Sequence, residues 1–125
     1  MEQLHFTSHV LGKKATARLE NYEVTQTIRA ESSSITKAIL SGKVKVGDEM
    51  RVILDDRLIG LVQHVIIDSV TWDQLDICDA RRGGFDDRFE LAYALKRAGY
   101  RFMPLDKYRF YRCQFSWVEG RETMS

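Results

Sequence analysis

The chain has 125 residues, 44% hydrophobic and 30% charged, with one Pro and two Cys. That length is the size of one domain, taken as residues 1–125. The composition excludes long disorder, and apolar runs as short as Val65-Ile66-Ile67 exclude a membrane-spanning helix. A formal net charge of +1 removes any global attraction to nucleic acid, so such binding has to come from a local patch.

Taken in chain order, Met1–His5 lacks the cationic start and apolar stretch of a signal peptide. Tyr22–Arg29 alternates and is rich in β-formers, which predicts the first strand. Ser32, Ser33 and Ser34 are three candidate N-caps for a two-turn helix carrying Ile35, Ala38 and Ile39, which Gly42 stops. After a turn at Lys45–Asp48, Glu49–Leu54 and Leu58–Val70 read as strands joined by a tight Asp55-Asp56 turn. His64, alone inside the longer strand, reads as a core or sheet residue. Thr71 and Gln74 have capping-box spacing, predicting a helix from Trp72 to about Ala80, which Gly83-Gly84 breaks.

Asp86 can cap the longest helix, Asp87–Ala98, where Leu91, Ala94, Leu95 and Ala98 form one apolar stripe before Gly99. In the last strand, Lys107–Val118, Tyr111, Cys113, Phe115 and Trp117 share one face, and Arg112, Gln114 and Ser116 the other. Five or six strands with three helices as excursions, and a C-terminal strand returning to the sheet, point to a small α+β barrel rather than a βαβ sheet.

The near-neutral total hides an asymmetry. Residues 1–78 carry nine Lys/Arg against eleven Asp/Glu, a net of −2, and residues 79–125 carry ten against seven, a net of +3. Tyr100, Phe102, Tyr108, Phe110 and Tyr111 are interleaved with the basic residues. That combination suits single-stranded nucleic acid, with cations on phosphates and rings on bases. Strand parity assigns much of the aromatic content to the core instead.

Cys78 and Cys113 form no C-x-x-C, and the three His have no ligand spacing with them. The cysteines read as two small buried hydrophobes in a reducing, cytoplasmic setting, with no metal site. No glycine-rich phosphate loop, dinucleotide fingerprint, H-E-x-x-H or G-x-S-x-G is present, so no cofactor is expected. The carboxylate pairs Asp55-Asp56 and Asp86-Asp87 read as turn and cap chemistry.

Three segments together resemble one family. Thr25-Gln26-Thr27-Ile28-Arg29-Ala30-Glu31-Ser32 is similar to the T-x-T-x-R-x-E-S stretch of ASCH domains, in the PUA-like superfamily of small β-barrels. Lys45–Val52 resembles that family's K-x-G-D-x-φ-x-V segment. Val70, Trp72 and Leu75, then Gly83-Gly84-Phe85 and Glu90-Leu91, resemble its later helix-Gly-Phe-helix segment. The resemblance covers about residues 10–118. It implies a PUA-like mixed or antiparallel barrel whose cavity between barrel and helices binds RNA or nucleotides.

One bacterial branch of the family hydrolyses the amide of acetylcytidine with a Lys, a Thr and a Glu. Against the signature G-x-K-x-x-x-x-R, counting back from Arg29 puts Val24 at the Lys position and Tyr22 at the Gly position. Gly12-Lys13-Lys14 supplies the G-x-K element only across an insertion of about ten residues. The Thr role maps to Thr27. No carboxylate stands at the hydrolase position near Gly83-Gly84, where Asp79 and Asp86 are the nearest.

The leading expectation is therefore an RNA- or nucleotide-binding domain with a local basic cleft. Arg29 would fix a phosphate or base edge, Lys43, Lys45, Arg81 and Arg82 would line the rim, and Trp72 or Phe85 would offer a stacking platform. The alternative is an amidohydrolase on a modified nucleoside, with Lys14 or Lys13 as base and Thr27 as nucleophile or water-positioner. A second alternative is a protein-interaction adaptor whose cleft is filled by its own side chains.

Overall fold

A computed structural model describes residues 1–118 of the chain. Its elements are β1 (Gln3–Phe6), α1 (Ser8–Glu20), β2 (Gln26–Ala30), α2 (Ser34–Leu40), β3 (Glu49–Leu54), β4 (Arg57–Val70), α3 (Ile77–Arg82), α4 (Arg88–Arg97) and β5 (Phe110–Trp117). The strands form one sheet in the order β1-β3-β4-β5-β2, parallel between β1 and β3 and antiparallel elsewhere. The result is a curled half-barrel with helices against it, the α+β barrel-like arrangement expected.

The curl has local causes. Asp55 (φ 49°) and Asp56 (φ 66°) are both left-handed, which is the geometry a two-residue hairpin turn needs between twisted strands. The β4 strand then pairs with β3 along its first half and with β5 along its second. Its register shifts between His64 and Ile66, and such a bulge bends a strand and increases its twist. Bent in this way, β4 leaves β1 and β2 as the two free edges of the half-barrel.

The concave side is filled from both layers. Leu4, Met50, Val52, Val62 and Phe115 from the strands, with Leu11, Ala15 and Leu19 of α1 and Leu91, Ala94 and Leu95 of α4, belong to one buried cluster. Truncating any one of these leucines to Ala costs about 2–5 kcal/mol. His64 is buried among them, its Nδ1 4.0 Å from Cys113 Sγ. Burial lowers the imidazole pKa, opposed by Asp48, and pushes the Cys113 thiol up to about 11.

Several sequence expectations change at their boundaries. The expected strand at Tyr22 starts only at Gln26, because Tyr22 (φ 64°) is left-handed in the turn that ends α1. The expected Trp72–Ala80 helix is a 3-10 turn at Trp72–Gln74 followed by α3. Asp76 starts that second helix: its Oδ1 accepts from Asp79 N–H and Asp79 Oδ2 accepts from Asp76 N–H, both at 3.0 Å. Ser33 is the cap used at α2, accepting from Thr36 N–H at 3.3 Å.

The last strand begins at Phe110, since Pro104 opens a 3-10 turn at Leu105–Lys107. Parity holds for Cys113 and Phe115, but Phe110 is wholly buried on the other face, where the Tyr100 ring meets it edge-on at 5.3 Å. Cys78 is exposed rather than buried: it lies in the first turn of α3, on the side away from buried Asp79 and Ala80. The sequence reading did not include β1 or α1, so the helices number four among the described residues.

Candidate functional site at the barrel seam

The two free edges face each other across a seam. Arg29 of β2 reaches over it: Nη2 donates to the carbonyl of His5 on β1 at 2.6 Å, and Nε donates to Thr27 Oγ1 at 2.8 Å. The guanidinium carbon lies 4.9 Å from the centre of the Phe6 ring, a cation–π contact. Thr27 and Arg29 are two residues apart on one strand, so they share a face, and the hydroxyl fixes the Arg rotamer.

The seam opens into a cavity of about 270 Å³. Its walls are largely apolar, with Phe6 from β1, Leu11 from α1, Phe85 after α3 and Leu91 and Leu95 from α4; Thr27, Arg29, Ser33 and Tyr100 supply polar groups. Among the described residues no carboxylate pairs with Arg29 and no acceptor engages its Nη1. Its enclosure lowers the guanidinium pKa, opposed by Cys113 and Tyr100. An arginine remains charged under such conditions. The cavity thus holds one cation with donors to spare, which suits an anion or a pair of acceptor atoms.

Behind the cavity lies a fully engaged carboxylate. Asp79, 2% exposed, accepts at Oδ1 from Gln26 Nε2 (3.0 Å), Arg82 Nη2 (2.9 Å) and Arg112 Nη1 (3.0 Å). Burial opposes its charge, but hydrogen bonds from Asp76 N–H, Gln26, Arg112 and Arg82 outweigh that and bring the carboxyl down to about 2. Arg112 also forks onto Asp68 at 3.0 and 2.6 Å. This network ties α3 to β2 and β5 and sets one end of the cavity; its donors and acceptors are already committed to each other.

The remaining predicted residues are spread over the molecule. Phe85, 7% exposed, is a cavity wall. Arg82 is spent on Gln26 and Asp79, and Arg81 is exposed beside it on α3. Lys43 pairs with Glu2 at 2.9 Å, before the other end of β1, and Lys45 is exposed in the next turn. Trp72 lies in a separate open groove with Phe89, Arg101, Phe102 and Met103. Arg88 covers one face of its ring at 4.4 Å.

Neither Lys13 nor Lys14 lines the seam cavity. Lys14 Nζ binds Asp86 and Glu90 on the surface; the hydrogen bonds it donates to both acids raise its pKa, the opposite of what a general base requires. Asp86 is held low by Lys14 and Arg18. The sequence reading missed His5 and Phe6, which lie on the unread β1, and named Tyr100 only as one of the aromatics interleaved with the basic residues. The Leu4/Phe6 alternation was the available signal, but over four residues it is short.

No family model and no curated protein matches this sequence. Solved structures do share its fold. The crystal structure of a protein from Enterococcus faecalis V583, described with the family model DUF984, superposes at a TM-score of 0.64 with 12% identity, covering 94% of this chain and 80% of that one. The ASCH domain from Lactobacillus crispatus JV V101 superposes at 0.61 with 12% identity, covering 90% and 79%. The curled five-stranded sheet, its helical cover and these superpositions agree that the chain has an ASCH-like fold.

Proposed function

We propose that this domain binds RNA or a nucleotide by taking one base or nucleoside into the seam cavity. The observation that carries this reading is the Arg29 guanidinium, bonded to a carbonyl and a hydroxyl but to no carboxylate, at the edge of a largely apolar cavity. A volume of about 270 Å³ is just below the range for small-molecule sites, roughly 300–1,000 Å³. It suits a single base with its sugar better than a stretch of strand. Phe6 and Phe85 supply the rings such a site uses for stacking, and the ASCH-like fold is in keeping with this class of ligand.

The test is calorimetric titration of the four nucleoside monophosphates and a short single-stranded RNA into the wild type and Arg29→Ala. Binding by the wild type, weakened about tenfold or more in the variant, is the expected result. With one cation at the site, the salt dependence should be shallow, with a slope near −1 or less. Failure of every nucleotide and the RNA to bind at millimolar concentration, or equal binding by Arg29→Ala, overturns the reading.

A further inference from the structure

The backbone hydrogen bonds fix which groups face the seam. In an antiparallel pair, alternate residues exchange both bonds with the partner and those between point away. Phe115 N–H donates to Thr25 C=O, and Thr27 and Arg29 follow in step against Cys113 and Tyr111. Gln26, Ile28 and Ala30 therefore turn their N–H and C=O away from β5. Ala30 bears this out: its N–H donates to Tyr100 Oη at 3.3 Å and its C=O accepts from Ser33 N–H at 3.1 Å.

The other edge follows the same logic. Arg51 N–H donates to Glu2 C=O and Asp55 N–H to Phe6 C=O, so Glu2, Leu4 and Phe6 face β3, and His5 faces the seam. His5 C=O is the group that Arg29 fills. What remains is the N–H of His5 on one edge and the N–H and C=O of Gln26 and of Ile28 on the other; all three residues line the cavity, and Ile28 is the one next to Arg29 in the strand. No contact among the described residues engages these five groups.

Resting on the nucleotide-binding reading, we infer that the seam reads the base through these unpaired edges and selects a cyclic imide edge, two carbonyls flanking one N–H, as in uracil. Ile28 C=O accepts from the ring N–H. The flanking carbonyls accept from two of the donors nearest that carbonyl in the fold, Ile28 N–H, His5 N–H and Arg29 Nη1. Donors outnumber acceptors around Ile28 C=O, so a ligand with more acceptors than donors on its edge fits best. Cytosine turns a bare ring nitrogen where the imide has its N–H, which sets acceptor against acceptor. Adenine has no flanking carbonyls. A site built to hydrogen-bond a ligand rejects the analogue that leaves its groups unpaired.

The test uses uridine, 3-methyluridine, cytidine and adenosine with the 15N-labelled protein. Uridine should bind at least about tenfold more tightly than the other three, and saturation should shift the amide resonances of Ile28 and His5. Ile28→Pro removes the seam-facing N–H without touching the β5 ladder, a position where an edge strand tolerates proline. It should lose about tenfold in uridine affinity, with its circular dichroism unchanged. If that variant does not fold, the ligand series and the amide shifts decide alone. Equal binding of uridine and 3-methyluridine, or shifts confined to the Phe102 groove, would overturn this inference while leaving nucleotide binding intact. No binding by any nucleoside or nucleotide overturns both.

Discussion

Replacing Asp79 with Asn tests whether the ion network behind the cavity holds the fold. The side chain is 2% exposed and all its bonds are accepted ones, three at Oδ1 and one at Oδ2. An amide keeps the shape but has one NH2 end, so whichever way it turns, one donor meets another. Loss of one partner from a buried pair costs about 3–5 kcal/mol. Arg112 keeps Asp68, and Arg82 is 43% exposed and can turn to water. Both place the expected loss at the lower end, about 3 kcal/mol.

Proton linkage gives a second, independent figure. The native carboxyl lies at about 2 against the usual 3.8, which corresponds to about 2 kcal/mol of native stability at neutral pH. Because the native pKa is the lower one, that contribution is present above pH 4 and drains away as pH falls through 2. Urea unfolding followed by tryptophan fluorescence should show Asp79→Asn less stable by about 2–3 kcal/mol at pH 7, with the gap narrowing toward pH 2. A difference below about 0.5 kcal/mol at pH 7, or one that ignores pH, would refute the argument.

Other consequences are simpler to state. Gly84 has φ +97°, and a Cβ there would stand 3.0 Å from Val24 Cγ2 and 3.3 Å from Ala15 Cβ. Gly84→Ala should destabilise by about 1–3 kcal/mol in thermal melts, while Gly83→Ala, whose Cβ meets nothing closer than 3.4 Å, should change little. Burial depresses the His64 pKa, so its contribution to stability is lost as pH falls below 6.5; His64→Gln should flatten the pH 7 to pH 5 stability profile. Arg29→Lys keeps the charge but not the fork that reaches both Thr27 and His5, and nucleotide affinity should fall in a titration. Lys14→Ala should leave that affinity unchanged, since the side chain is occupied at the surface.

How much of this was legible depended on where chemistry is local. The Asp55-Asp56 turn, the Ser cap of α2 and the Leu91–Leu95 stripe of α4 each act within a few residues, and each was readable. The β1 strand was not: two inward residues, Leu4 and Phe6, make sense only once β3 lies beside them. The α1 helix shows only Leu11, Ala15 and Leu19 as a buried stripe, interrupted by Gly12 at φ 82°. At the site, Arg29 and Thr27 stood out as neighbours on one strand, whereas His5 and Tyr100 join them only through the topology, from 24 and 71 residues away in sequence. Part of the basic C-terminal third is committed within the fold, with Arg112 and Arg82 both bound to Asp79. The expected basic cleft thus reduces, at the seam and among the described residues, to one guanidinium with no carboxylate partner.

That single cation explains why the sheet stops short of a closed barrel. A buried backbone N–H or C=O without a partner costs about as much as a lost hydrogen bond, and a fifth pairing between β1 and β2 would satisfy every such group at once. Here the edges are held apart: Arg29 spans them through its side chain, Tyr100 and Ser33 take up Ala30, and the Phe6, Phe85 and Leu91 side chains occupy the space behind. His5, Gln26 and Ile28 keep the cost of unpaired edges. Sheets that leave an edge open ordinarily blunt it with charge, proline or a covering element. Helices α1 and α4 cover this one without pairing it, which leaves donors and acceptors pointing into an enclosed space. On the nucleotide-binding reading proposed above, a gap maintained by a dedicated arginine is the room for a flat, acceptor-rich guest, and the energy withheld from barrel closure would become available when that guest binds.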